Sequence, residues 1–302
     1  MKRLKSQVDR SLLKRRLEDM EFQDSPAIVL VAYGSLDLEA RKTYGKIRTA
    51  YRREFPRSAV QIAFSADFIR RKIARDGGEL AKSPLMALAE LHDEGYTDVV
   101  VQSLHVAPGS EFHEVGAVVS ALGTVRGKFG FRNLAMGMPL LASSHDFDAV
   151  SEALAQEFDR ITVDGEVKNS LRDPEETAVV LMGHGTDHPA DCAYSRMALI
   201  LKRDHRNVFL GTIDGFPGLD EAMAGVRGAG VEKVRLIPFL LVAGGHAKKE
   251  MAGDDPKSWK SSFGRAGFEV DLNLRGMGEN PRVVEVFEEH TRLPGERFRT
   301  GV

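Results

Sequence analysis

Two nine-residue stretches of this chain are versions of one another. Residues 27–35 read AIVLVAYGS and residues 178–186 read AVVLMGHGT, identical at four positions and apolar in step until the glycine turn. A second matched pair keeps the same order. Residues 104–109 (LHVAPG) align with residues 240–245 (LLVAGG), at an offset of 136 residues where the first pair is offset by 151. Repetition of this kind predicts two related lobes whose intervening segments differ in length. Each matched segment is a short β-rich apolar run closed by glycine, and between such runs lie longer helical stretches. The expected strands are residues 28–33, 60–64, 99–104, 134–138, 178–182, 208–213, 234–239 and 270–274, with helices over 37–55, between 67 and 94, over 147–158, and from Asn280-Pro281 onward. Ser83 followed by Pro84 is a clean helix start, because serine caps and proline sits where no amide hydrogen is needed. The alternation predicts an α/β fold: two related lobes, each with a mainly parallel sheet flanked by helices.

The boundary is expected in the polar stretch 164–176, which divides the chain into lobes at 27–165 and 177–302. Residues 1–26 form an extension in which Val8, Leu12, Leu13, Leu17 and Met20 recur at helical spacing beside the basic run Lys14, Arg15 and Arg16. That segment mixes charges and lacks the apolar core of about 7–15 residues that a secretory signal needs. No apolar run approaches the roughly 20 residues of a membrane span, so a cytoplasmic protein is expected. With 42 basic against 44 acidic residues, no global charge points to nucleic acid or an anionic membrane. Cys192 is the single cysteine, which excludes a disulfide framework, a thiolate zinc cluster and a Cys-ligated iron–sulfur centre. Transition-metal chemistry must then rest on the nine histidines and on carboxylates.

In open α/β sheets, ligands bind beyond the carboxyl ends of strands. Three consecutive strands of the second half end in a potential ligand: His184 in GHGT, Asp214 in DGFP, and His246 after LLVAGG. Each alone has a plainer reading, since a histidine in a glycine turn can bond a carbonyl and an aspartate before glycine suits a turn. Together, two imidazoles and a carboxylate suit a divalent ion, and imidazoles also move protons near neutral pH. His105, with Glu111 and His113 after it, occupies the matching strand end of the first half. Asp187, His188 and Asp191 read as the solvated first turn of a helix, where acids suit the dipole. Residues 276–280 (GMGEN) lack the third glycine of a dinucleotide loop, and no phosphate loop of the Walker type is present, so no nucleotide is expected.

Residues 182–186 (MGHGT) and 236–247 (LIPFLLVAGGHA), followed by Met251, Asp254, Asp255 and Trp259, resemble the anaerobic sirohydrochlorin cobaltochelatases. These belong to the ATP-independent class II chelatase superfamily that includes ferrochelatase. Residues 102–106 (QSLHV), 83–88 (SPLMAL) and 276–281 (GMGENP) are similar to family segments too, and the resemblance spans residues 27–292. It implies a chelatase-like fold with a tetrapyrrole in the cleft between lobes. It also implies a divalent metal as substrate, Co²⁺ first with Fe²⁺ or Ni²⁺ as alternatives, in cobalamin- or haem-type cofactor biosynthesis. His184, an acidic residue and His246 would hold the metal, and the two histidines would be catalytic. The family's acidic residue is a glutamate; here the matching place, thirty residues after His184 and thirty-two before His246, holds Asp214. Tyr33, Gly34, His105, Gly244 and Gly245 are the expected substrate contacts, and Arg70, Arg71, Lys248 and Lys249 are candidates for a basic rim facing a polycarboxylate. A homo-oligomer is compatible with this reading. The competing readings are a noncatalytic haem or tetrapyrrole carrier and a metal-binding module.

Overall fold

The computed structural model describes residues 25–163, 166–169 and 173–300. The expected helix over the first residues lies outside the described residues, as do positions 164–165 and 170–172 of the expected boundary. The first sheet contains β1 (Ala27–Ala32), β2 (Val60–Phe64), β3 (Asp98–Ser103) and β4 (Asn133–Gly137), all parallel, in the order β2-β1-β3-β4. An antiparallel pair follows, β5 (Arg160–Val163) with β6 (Glu166–Asn169), which the apolar pattern does not announce. The second sheet contains β7 (Thr177–Gly183), β8 (Val208–Thr212), β9 (Lys233–Phe239) and β10 (Glu269–Leu272), all parallel, in the order β10-β9-β7-β8. Counted from its own first strand, each sheet runs second, first, third, fourth. The shared order is the structural counterpart of the repeated sequence.

Helices of the first half are α1 (Leu38–Glu54), α2 (Asp67–Arg75), α3 (Pro84–Asp93), α4 (Ser110–Gly123) and α5 (Ser144–Leu154); those of the second are α6 (Cys192–Asp204), α7 (Leu219–Ala229), α8 (Trp259–Arg265) and α9 (Pro281–Thr300). Their starts follow ordinary capping chemistry. Ser83 Oγ accepts the Met86 amide at 3.1 Å with Pro84 at the first helical position, and Asp37 caps α1 through the Ala40 amide at 3.0 Å. Among the described residues, no helix is long and apolar enough to cross a membrane.

Because side chains alternate across a strand, β1 and β7 each feed two cores. Ile28, Leu30 and Ala32 meet Val179, Leu181 and Phe239 in one central cluster that spans both sheets. Ala27, Val29 and Val31 pack outward against Leu88, Leu91 and Val115, while Ala178, Val180 and Met182 pack outward against Val226, Trp259 and Phe263. The two terminal helices do not follow chain order. Helix α9, counted with residues 177–302 in the sequence, packs on β3, β4, α1 and α5 of the first half. Val283, Val286 and Phe287 enter the central core there. The Thr291 hydroxyl lies 2.9 Å from Gln102 Oε1 and 3.1 Å from the Tyr51 hydroxyl, all three buried. Helix α5 in turn packs on α6, where Ser151 Oγ donates to Asp204 Oδ2 at 2.9 Å. Each half is closed by a helix that also touches the other.

Glu288, buried on α9, has its carboxyl pushed up to about 7 by burial and then by the charge of Glu54. A carboxyl whose folded pKa exceeds its unfolded value favours the fold while protonated, and that contribution is lost as pH rises from its ordinary range through about 7. Glu288→Gln is expected to melt with wild type near pH 4 and progressively above it towards pH 8, by roughly 2–5 °C. Circular dichroism melts across pH check this; a difference independent of pH contradicts it.

Candidate functional site

The loops beyond the carboxyl ends of the two sheets meet. A Cβ on Gly109 would lie 3.6 Å from Thr186 Oγ1, and one on Gly244 would lie 2.8 Å from Ser35 Oγ. Lys248 bridges to Asp37. Each half fixes its first glycine turn in the same way: the buried Tyr44 of α1 bonds the Gly34 backbone, and the buried Tyr194 of α6 bonds the Gly185 backbone. Gly34 has φ +105° and Gly185 φ +80°, conformations that disfavour any side chain. At Gly185 a Cβ would also stand 2.7 Å from the carbonyl of Asp214, so the His184 and Asp214 loops lie backbone to backbone.

His184 follows β7 directly. Its Nδ1 lies 3.0 Å from the Gly185 carbonyl. A carbonyl only accepts, so Nδ1 carries the hydrogen and the lone pair is left on Nε2. His246 precedes a π-helical turn, Ala247–Met251, which brings Glu250 Oε2 to 3.5 Å from its Nδ1. Burial, and then the charge of His184, lower the His246 pKa against the opposing pull of Glu250 and Asp214. A histidine shifted this way is neutral at pH 7, with a lone pair to offer.

The two rings stand 4.7 Å apart, centroid to centroid, at 88°. An ion bound to imidazole nitrogen at about 2.1 Å lies roughly 3.2 Å from the ring centroid, so two ligands about 90–110° apart on one ion have centroids roughly 4.5–5.2 Å apart. The pair fits neighbouring positions on a single ion. Asp214 is joined to the same place through its backbone: its amide donates to the His184 carbonyl at 2.8 Å. Its side chain is exposed. Among the described residues no three His, Cys, Asp or Glu side chains converge as a ready metal set. The structure therefore brings the two imidazoles together and leaves the Asp214 carboxylate on the rim.

The remaining expected residues take different places. Tyr33 is half exposed, and burial followed by the charge of Glu111 raises its phenol. His105 is bonded within the first half, with Ser103 Oγ 2.9 Å from Nδ1 and Ser65 Oγ 3.4 Å from Nε2, and burial pushes it down to about 4. Gly245 is open, with nothing within 4 Å of a Cβ. Of the rim cations, Arg70 and Arg71 both pair with Asp67 at 2.6 Å.

Glu250 was not singled out by sequence reasoning, although its place four residues after His246 on a helical turn is a readable signal. Its Oε2 and that of Glu111 are buried without a hydrogen-bond partner. The GMGEN segment supports the approach to His246. The Met277 and Gly278 amides donate to the Leu240 and Leu241 carbonyls, both at 2.8 Å, and a Cβ on Gly276 would lie 2.7 Å from Val242 Cα.

A family model described as cobalt chelatase (CbiK) matches residues 26–293. The chain belongs to the CbiK cobalt chelatase family. Within that family, sirohydrochlorin cobaltochelatase CbiKC of Nitratidesulfovibrio vulgaris is 36% identical over 263 residues, covering 87% of this chain and 88% of its own. Sirohydrochlorin cobaltochelatase of Salmonella typhimurium is 36% identical over 228 residues, covering 76% and 80%. The fold is also that of SirB from Bacillus subtilis with Fe³⁺, at a TM-score of 0.58 and 16% identity over 91% of this chain and 98% of that one. SirB from Bacillus subtilis subspecies spizizenii in complex with cobalt gives a TM-score of 0.56 at 15% identity, covering 90% and 96%. The chelatase-like fold implied by the sequence motifs is thus the fold observed.

Because Gly185 combines positive φ with contact on the Asp214 carbonyl, Gly185→Ala is expected to lower stability by about 1–3 kcal/mol. Gly245→Ala, placed in open space, leaves it unchanged. Urea denaturation of both variants checks the pair, and equal stabilities would contradict the backbone argument.

Proposed function

We propose that this protein inserts a divalent metal ion, Co²⁺ first, into sirohydrochlorin on a route to a cobalamin-type cofactor, and that it does so without a nucleotide. The observation that carries the reading is the His184–His246 pair, spaced for one ion at the strand ends, in a chain 36% identical over most of its length to sirohydrochlorin cobaltochelatases. Fe²⁺ and Ni²⁺ are alternative substrates with the same preference for imidazole nitrogen.

In this reading the macrocycle enters between the facing loops, its apolar face against Tyr33, Leu36 and Phe216, which are exposed at the ends of β1 and β8. Its carboxylates reach the rim, where Lys248 is held by Asp37 and Arg70 and Arg71 by Asp67. His184 and His246 present the ion through nitrogen lone pairs, and the Asp214 carboxylate balances its charge. Two pyrrole N–H bonds break as metal–nitrogen bonds form. The imidazoles take the protons as the ion leaves them, then release them to water. Chelation supplies the driving force, so the protein's part is to position and to hold bases at the right protonation state. A lowered His246 pKa serves both tasks, since protonated imidazole can neither bind the ion nor accept a proton.

Mixing the purified protein with sirohydrochlorin and Co²⁺ and following the absorption change tests the proposal. Acceleration over the protein-free control is expected, and its absence would refute the reading. His184→Ala and His246→Ala are each expected to lose roughly 100-fold or more in rate, whereas Asp214→Ala raises the KM for Co²⁺ and retains measurable turnover. Rates with Fe²⁺ and Ni²⁺ in the same assay rank the metals.

A further inference from the structure

Asp191 stands at the start of α6, where the sequence alone places a solvated acid. Its side chain makes no cap to its own helix. Both oxygens go elsewhere: Oδ1 accepts the Thr186 amide at 3.1 Å, and Oδ2 accepts the Phe216 amide at 2.7 Å. Thr186 lies two residues beyond His184, and Phe216 two residues beyond Asp214. One carboxylate therefore ties together the two loops that carry these side chains.

The rest of that helical turn reinforces the tie. Ser195 Oγ donates to the Phe216 carbonyl at 3.0 Å, and Tyr194 bonds the Gly185 backbone. Gly215 passes so close that a Cβ there would stand 2.2 Å from Asp191 Oδ1. The glycine leaves the space that the carboxylate occupies. A capping aspartate satisfies amides of its own first turn; this one forgoes that bond and accepts from two separate loops.

We propose that Asp191 is a positioning residue for the metal site, clasping the His184 loop to the Asp214 loop and so fixing the Asp214 carboxylate relative to the imidazole. The inference rests on the chelatase reading of those residues. The tie matters here because Asp214 itself is exposed and, among the described residues, no hydrogen bond holds its side chain; its backbone is placed by its own amide and that of Ile213 on the His184 carbonyl and by the Phe216 amide two residues on.

Asp191→Asn keeps the volume but turns one oxygen into an amino group that must face a backbone N–H. Titration with Co²⁺ alone by calorimetry, and steady-state insertion into sirohydrochlorin, should show Kd and KM for Co²⁺ raised roughly tenfold. KM for sirohydrochlorin should rise less, because Phe216 alone of its proposed apolar contacts lies on the released loop, a split that general loosening would not produce. Gly215→Ala attacks the same contact from the other side without changing a charge and should mimic that result. In the Asp191→Ala/Gly215→Ala double variant the clash is gone, so it should be no worse than Asp191→Ala alone. Wild-type Kd and KM for Co²⁺ in both Asp191→Asn and Gly215→Ala, with His184→Ala inactive, would overturn the positioning role and leave the chelatase reading standing. Full activity in His184→Ala would overturn that reading and this inference with it.

Discussion

The structure depends on one shared layer of apolar side chains. A parallel sheet buries both faces, and here the inner faces are covered by α1 and α9 on the first sheet and α6 on the second, whose apolar side chains join Ile28 and Leu30 of one sheet and Val179 and Leu181 of the other in a single cluster. Interiors packed at crystal density transmit position rather than absorb it, so the loops after β1, β3, β7 and β9 meet at fixed separations. Helices α5 and α9 extend the same constraint, because each packs across the junction rather than against its own half alone. The close passages of Gly109 by Thr186 and of Gly244 by Ser35 are what remains of the gap once that layer is filled.

Against this rigid frame the site is arranged to keep nitrogen lone pairs available. His184 turns its Nδ1 hydrogen to the Gly185 carbonyl, and burial first, then repulsion between the two imidazoles were both charged, lowers the His246 pKa. The Oε2 atom of Glu111 is buried without a hydrogen-bond partner, and that of Glu250 faces His246 Nδ1 at 3.5 Å.

Much of the fold was legible because parallel strands buried on both faces are continuous apolar runs, and eight such runs were found close to their observed ends. The duplicated motif foretold the repeated strand order. What escaped was whatever depends on contacts between distant segments. The β5–β6 pair is too short and polar to stand out. Helix α9 reads as part of the second half because its apolar stripe says that it packs, not upon what. His184 and His246 were singled out from their place after strands, and the structure brings their rings to 4.7 Å, although His184 also makes the carbonyl bond that the plainer reading offers. Asp191 was not: an acid in a first helical turn has an adequate local explanation, and only the position of Thr186 and Phe216 shows that its bonds lie elsewhere.

The spacing of the imidazoles also separates the chelatase reading from a carrier that would ligate a haem iron through both of them. Two histidines on opposite faces of a haem iron lie in line with it, which at the same metal–nitrogen distance puts their centroids roughly 6.4 Å apart. The observed 4.7 Å between centroids is too short for that arrangement. A storage module has reason to surround its ion; a chelatase has reason not to, because binding that is equally strong before and during transfer does not speed transfer. In the proposed function, two imidazoles with Asp214 beside them would bind an ion well enough to present it and loosely enough to lose it to the macrocycle.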